Sequence, residues 1–326
     1  MLNSITKLNR RTWLKEGVTA SLAGLGALAL TGRASAIEPT VVAVAPRRTG
    51  AKRFPGLKTS INAYSFHLRL AAKGPGSMTL EDVMGYCVAH GADAIDPTGY
   101  FFSGYPTVPS AEVLNTFKRR ALSMGLTISG TGIKNDFTNP DPAIRAEGVQ
   151  RAKNWIEAAA RLGAPILRVF SGAEQPKYAT EEVMKWLVDD LRECAEYGQQ
   201  FGVVVGVQNH GDFLQTAARC IEVVKQVASP WLGIVADTGN FKTPDPYKDI
   251  ADIVPYAVNW QVKESPLGNG NPVRTDVRRL IEIIGNGGYR GFVPLETIEP
   301  NKGKPGYDPR VEAAKLLAEI ADAIQA

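Results

Sequence analysis

The chain predicts one α/β domain folded as a closed (β/α)8 barrel, on three observations. From Leu57 onward, short apolar runs alternate with amphipathic segments to the end, as in successive strand–helix units on a parallel sheet. Eight apolar runs can be placed, with no break long enough for a second domain. The first run passes into Tyr64-Ser65-Phe66-His67 and not into a glycine-rich turn, so the open doubly wound sheet loses its main support.

The elements follow in order. Asn9-Arg10-Arg11-Thr12-Trp13-Leu14-Lys15 carries a twin-arginine pair, an apolar run from Val18 to Leu30 follows, and Ala34-Ser35-Ala36 forms a small-x-small cleavage pattern. Residues 1–36 are therefore expected to be a twin-arginine signal that sends a folded protein to the periplasm. The run is interrupted by Gly24 and Gly26 and is too short for a stable membrane span. Residues 37–55, rich in Pro, Val and Arg, are expected to be a linker, with the barrel over 56–326.

The expected strands are Ser60–Ser65, Ala94–Asp96, Thr127–Thr131, Ile166–Phe170, Val203–Gln208, Leu232–Asp237, Ala257–Lys263 and Gly291–Glu296. Thr79 with Asp82 forms a capping-box pattern for a helix ending near His90-Gly91. Helices are also expected over Ala143–Leu162, closed by Gly163, and over Thr180–Phe201, opened by Thr180 with Glu181 and Glu182 favouring the dipole. Gln215–Val227, Asp276–Ile284 and Arg310–Ile324 complete the set.

The net charge of +4 belongs to the N-terminus. Lys7, Arg10, Arg11, Lys15 and Arg33 against Glu16 already make +4 over residues 1–36, so the remainder is neutral. That balance points away from nucleic acid and from anionic membranes. Three cysteines, Cys87, Cys194 and Cys220, lie in helical patterns and are expected to be buried, inert thiols and not a disulfide framework.

Barrel chemistry sits at the carboxyl ends of the strands, and the late strands end in polar residues. The fifth closes on Gln208-Asn209-His210, the sixth on Asp237-Thr238-Gly239-Asn240, the seventh runs through Asn259-Trp260-Gln261-Val262-Lys263-Glu264, and the eighth ends at Glu296-Thr297. Alternation along a strand lets Gln208 and His210, or Asn259, Gln261 and Lys263, face one side together. Gln208, Asp237, Gln261 and Glu296 would then form a ring of oxygen donors carrying −2, matched to a divalent ion, Mn²⁺ or Mg²⁺. Zinc is disfavoured because no Cys/His cluster is available. Any one of these residues alone is more simply a hydrogen-bonded group closing a strand; four on consecutive strands point to a site.

These segments resemble the xylose isomerase-like sugar isomerase/epimerase superfamily of TIM barrels over nearly the whole chain after the signal. The strongest matches are Val207–His210, Asp237–Asn240, Trp260–Glu264 and Leu295-Glu296; Asn62–Phe66, Gly91–Asp96 and Leu167–Phe170 match more weakly. The resemblance implies a small carbohydrate as partner and suggests a homodimer. In relatives, Glu, Asp, His and Glu hold the metal, and those places fall on Gln208, Asp237, Gln261 and Glu296. Two-base epimerisation needs a carboxylate where Gln208 stands, and an amide cannot serve as a base.

A one-base enolisation remains, with Glu296 taking a proton beside a carbonyl and His210 or Lys263 acting as acid. It would serve isomerisation or epimerisation of an unphosphorylated sugar, or β-elimination from a 3-keto-glycoside. A carbohydrate-binding barrel without catalysis is the other alternative. Substrate contacts are expected from His67, Asn209, Asn240 and Arg168, the last being equally readable as a structural cation paired with Asp96. Tyr100, Phe101, Phe102 and Tyr105 could form an aromatic wall for a sugar ring. The superfamily's endonucleases bind three zinc ions with many histidines, and three histidines in these places do not suffice.

Overall fold

The computed structural model describes residues 53–210, 213–265, 273–298 and 306–326. Among the described residues nine strands follow one another as β1 Leu57–Asn62, β2 Ala94–Asp96, β3 Thr127–Ile128, β4 Thr131–Gly132, β5 Ile166–Phe170, β6 Val204–Gln208, β7 Leu232–Asp237, β8 Ala257–Gln261 and β9 Gly291–Leu295. All pair in parallel, in the orders β3-β2-β1-β9 and β4-β5-β6-β7-β8. Parallel bridges from Thr98 to Gly132 and from Val262 to Leu295 join the two sheets at both seams. The result is a closed (β/α)8 barrel in which β3 and β4 are two halves of the third stave.

The third stave breaks at Ser129-Gly130 because the barrel interior is polar there. A Cβ on Gly130 would lie 3.0 Å from Asn259 Nδ2 and 3.1 Å from Asp96 Oδ2, so glycine leaves room for inward-facing polar groups. The Ser60 and Ser129 hydroxyls meet there at 2.7 Å. The first stave ends earlier than its apolar pattern suggests. Asn62 Oδ1 accepts from Tyr64 N at 2.8 Å and turns the chain into a 3₁₀ turn over Ala63–Phe66.

The helices are α1 His67–Ala71, α2 Leu80–Ala89, α3 Ala111–Ser123, α4 Pro142–Leu162, α5 Thr180–Phe201, α6 Ala217–Val227, α7 Pro246–Ile253, α8 Val277–Asn286 and α9 Pro309–Gln325. Thr79 and Asp82 make the capping box in full, and Gly163 closes α4 in the left-handed conformation at φ 77°. Thr180 is the first residue of α5 and not its cap; Ala179 holds that place without a side-chain hydrogen bond. The apolar faces of the helices cover the strands with Trp155, Phe117, Leu187, Leu280 and Leu316, forming one core between the two layers. Cys87, Cys194 and Cys220 are buried in it as free thiols.

The signal expected over residues 1–36, and the segment to 52, lie outside the described residues. At the first described positions, Arg53 pairs with Glu282 at 2.7 Å and Phe54 is buried, its N–H donating to Ile324 O at 3.0 Å. A Cβ on Gly285 would fall 2.3 Å from the Phe54 ring, so α8 is shaped to receive it. Among the described residues no helix is long and apolar enough to cross a membrane.

Candidate active site

The carboxyl ends of the staves open into a cavity of about 530 Å³. Its floor comes from the late strands. Gln208 ends β6, Asp237 ends β7, Gln261 ends β8, and Lys263 and Glu296 lie just beyond β8 and β9. All five are nearly inaccessible and line the cavity. The four residues expected as a ring do converge. Gln208 Nε2 stands 2.7 Å from Asp237 Oδ2 and 2.6 Å from Gln261 Oε1. The Gln261 oxygen is 3.2 Å from both Asp237 Oδ2 and Glu296 Oε2, and its nitrogen is 3.2 Å from Asn62 Nδ2. Turning that amide over would let it donate to both carboxylates and accept from Asn62, and would set its nitrogen 2.6 Å from Gln208 Nε2. In either arrangement Asp237 receives an amide N–H.

The cation at this floor is Lys263. Its ammonium bonds Glu296 Oε1 and stands 3.2 Å from Asp237 Oδ2. Burial depresses the Lys263 pKa, but Asp237 and Glu296 outweigh it and hold the ammonium above the ordinary lysine value. Burial raises Asp237, with Lys263 opposing. The backbone of Lys263 is clamped on both sides: its N–H donates to Thr238 Oγ1 at 2.9 Å and its carbonyl accepts from Thr275 Oγ1 at 2.7 Å. Its stem crosses Gly239, where a Cβ would lie 2.6 Å from Lys263 Cγ. The glycine of Asp237-Thr238-Gly239-Asn240 is what admits this side chain.

The early strands supply the wall. Arg168 leaves β5 nearly buried, with Nη1 donating to Ile133 O at 2.7 Å, Nη2 bonding the Tyr100 hydroxyl, and its plane 4.1 Å above the Phe170 ring. Its Nε is buried without a hydrogen-bond partner. Among the described residues Arg168 makes no ion pair with Asp96. Burial raises the Asp96 pKa to about 7, with Arg168 pulling it down. Tyr64 stacks on His67 at 4.7 Å, and His67 Nδ1 lies 3.1 Å from Tyr64 O. His210 stands exposed at the rim, 4.4 Å from the Phe170 ring. Asn240 also lines the cavity.

Asn209, expected as a substrate contact, is fully buried and uses both ends of its amide on the neighbouring strand. Its Nδ2 donates to Asp237 O at 2.9 Å and its Oδ1 accepts from Asp237 N at 2.7 Å, so both ends of the amide clip β6 to β7. Of the expected aromatic wall, Tyr100 lines the cavity, whereas Phe102 is buried against Phe117. Lys134, Asn135 and Asp136, after β4, line the cavity and were not singled out from sequence. Their signal is Ile133-Lys134-Asn135-Asp136, an apolar residue giving way to three polar ones as on the late strands. A larger groove of about 920 Å³, between α3 and α4, lies on the barrel's flank and gathers no buried charged group.

A floor of buried, charge-coupled groups at the mouth of eight parallel staves is where barrel enzymes hold their chemistry. Residues 84–322 match the xylose isomerase-like TIM barrel family, and the chain belongs to it. No curated protein matches it in sequence. Among solved structures it is similar to D-psicose 3-epimerase with D-tagatose from Clostridium cellulolyticum H10, at TM-score 0.68 and 17% identity over 82% of this chain and 100% of that one. It is also similar to the 3-keto-D-glucoside 4-epimerase YcjR from E. coli, at TM-score 0.61 and 14% identity over 82% and 99%. A third is the IolI protein with a bound zinc atom, at TM-score 0.65 and 16% identity over 82% and 96%.

The divalent ion that the resemblance implies can be tested against these residues. Two carboxylates and two amides surround the position, and among the described residues no group of three or more His, Cys, Asp or Glu could hold a metal. An ammonium already contacts both carboxylates, and an amide N–H points at Asp237. A dication would have to displace the first and turn the second. As arranged, the donor set does not fit a divalent ion.

Proposed function

We propose that this site removes a proton beside the carbonyl of an unphosphorylated sugar or sugar glycoside, as a one-base isomerase/epimerase-like enzyme. The observation that carries the reading is the buried contact of Glu296 with Lys263 on the floor of a cavity of sugar size. Glu296 takes the proton. The Lys263 ammonium, in a site shielded from water, stabilises the enolate oxygen by hydrogen bonding, and the protonated Glu296 then gives the proton back to carbon. Arg168 and Asn240, both on the cavity lining, hold the sugar oxygens, and His67 with Tyr64 and Tyr100 flanks the ring.

An uncharged substrate fits the field of the cavity. Among the described lining residues, Lys134, Arg168 and Lys263 balance Asp136, Asp237 and Glu296, leaving no excess positive charge for a phosphate. The signal expected around Arg10-Arg11 supports the same class, because an enzyme exported by it would meet unphosphorylated sugars.

A second reading is favoured by Gln208. Its amide stands where a second base would be needed and can accept no proton from carbon, so the chemistry is one-sided. β-Elimination from a 3-keto-glycoside needs only one base. Glu296 removes the proton next to the ketone, the carbon–oxygen bond one carbon further breaks, and His210 at the rim protonates the departing oxygen. The products are an enone and a free alcohol.

Incubation with a 3-keto-glycoside and with plain ketoses in deuterium oxide tests both. Deuterium entering beside the carbonyl supports enolisation, and alcohol release identifies elimination. Glu296→Gln should lower either rate by roughly 10²–10⁴, the usual contribution of a positioned base, while sugar binding persists. No exchange and no release, with binding intact, would leave a carbohydrate-binding barrel without catalysis.

A further inference from the structure

We infer that the Lys263 ammonium is the resident cation of this floor, standing where xylose isomerase-like relatives place a divalent metal, so that the site works without one. Three observations lead there. First, the two donors that carry negative charge, Asp237 and Glu296, both touch Lys263, and both are buried. A buried carboxylate pair is stable only with positive charge at contact distance, and the lysine supplies it from the protein itself.

Second, the lysine is built into this place. Gly239 clears its stem, Thr238 and Thr275 hold its backbone, and the side chain is only 8% exposed. A surface lysine that had swung inward would need neither the glycine nor the two threonines. Third, the remaining two donors are neutral amides. Replacing a carboxylate and an imidazole by Gln208 and Gln261 removes one negative charge and one strong nitrogen ligand, the change that lowers affinity for a dication while leaving room for N–H donors. Ring charge then tells against the metal: two carboxylates and one ammonium leave −1 for a dication to neutralise, and its approach meets a positive charge already at contact with both anions.

The consequence for chemistry is that a Lewis acid is replaced by a Brønsted one. An ammonium can give a proton to an enolate oxygen, whereas a metal ion binds the oxygen and has no proton of its own to give. The identity of the cation is the same whichever sugar reaction the site performs.

The test uses the full chain, stripped of metal, and titrated with Mn²⁺ while the free-ion electron paramagnetic resonance signal is followed. The wild type is expected to leave the Mn²⁺ signal undiminished and its melting temperature unshifted by Mn²⁺ or EDTA. Lys263→Met should gain Mn²⁺ affinity by at least about tenfold, equivalent to roughly 1.4 kcal/mol, with a melting temperature that rises on adding the ion. Gln208→Glu/Gln261→His/Lys263→Met, which rebuilds the relatives' donors, is the positive control for uptake. One Mn²⁺ bound per wild-type chain, or a wild-type melting temperature that falls in EDTA, overturns the inference. Both measurements are made on the wild type, so the outcome does not depend on whether the variants fold, and neither needs turnover.

Discussion

The two halves of the barrel mouth each bury one cation, and they treat it in opposite ways. On the early side, Arg168 is held by a backbone carbonyl, a phenol and an aromatic face, with no carboxylate in contact among the described residues. On the late side, the Lys263 ammonium is held by two carboxylates and bonds no neutral side chain among the described residues. A guanidinium spreads its charge over a plane and tolerates neutral, stacked surroundings; a compact ammonium requires anions when desolvated. The early half can therefore position a neutral ligand, while the late half keeps proton-bearing groups coupled.

Lys263→Met would break that contrast most. Removing one partner leaves Asp237 and Glu296 buried without a counter-charge, a loss of about 3–5 kcal/mol. Urea unfolding should show it, and the loss should shrink as pH falls and Asp237, raised by its burial, takes up a proton. Arg168→Met should cost less, roughly 1.5–3 kcal/mol for hydrogen bonds to a charged group, and should raise KM more than it lowers kcat. An equal cost for the two would show that the halves are alike.

Asn209→Ala sharpens the boundary between scaffold and site. It removes two bonds between β6 and β7 and should destabilise by about 1–3 kcal/mol without changing KM. A KM effect with full stability would return Asn209 to substrate binding. A pH slope and not a fixed loss marks Asp96, which lies on the early side and whose pKa is raised to about 7. A carboxyl raised in the folded state holds its proton there, so it contributes stability in full below the ordinary aspartate range. That contribution is lost as pH climbs toward 7, at on the order of 1 kcal/mol per pH unit. Asp96→Asn should flatten this slope in urea titrations between about pH 4 and 7.

The staves were largely legible because parallel barrel strands are buried on both faces and read as apolar runs with polar ends. Ala94–Asp96, Ile166–Phe170 and Leu232–Asp237 have the boundaries expected. Local chemistry also carried Thr79-to-Asp82 capping and the Gly163 stop. The misses lie where partners are distant in sequence. Asn62 ended β1 early through a bond to Tyr64, polar interior groups split the third stave at Gly130, and helices α3 and α7 had no pattern singled out. At the site, four oxygen-bearing strand ends were visible one by one.

The chain alone determined the number of staves, their polar ends and the family those ends belong to, because each rests on periodicity and residue type within one segment. Only the tertiary structure decided which cation those ends surround. Lys263 and Glu296 are 33 residues apart and lie on adjacent staves; Gly239, from a third, is what lets the lysine in. Contact between such groups depends on the stagger and closure of the barrel, and no local preference encodes that.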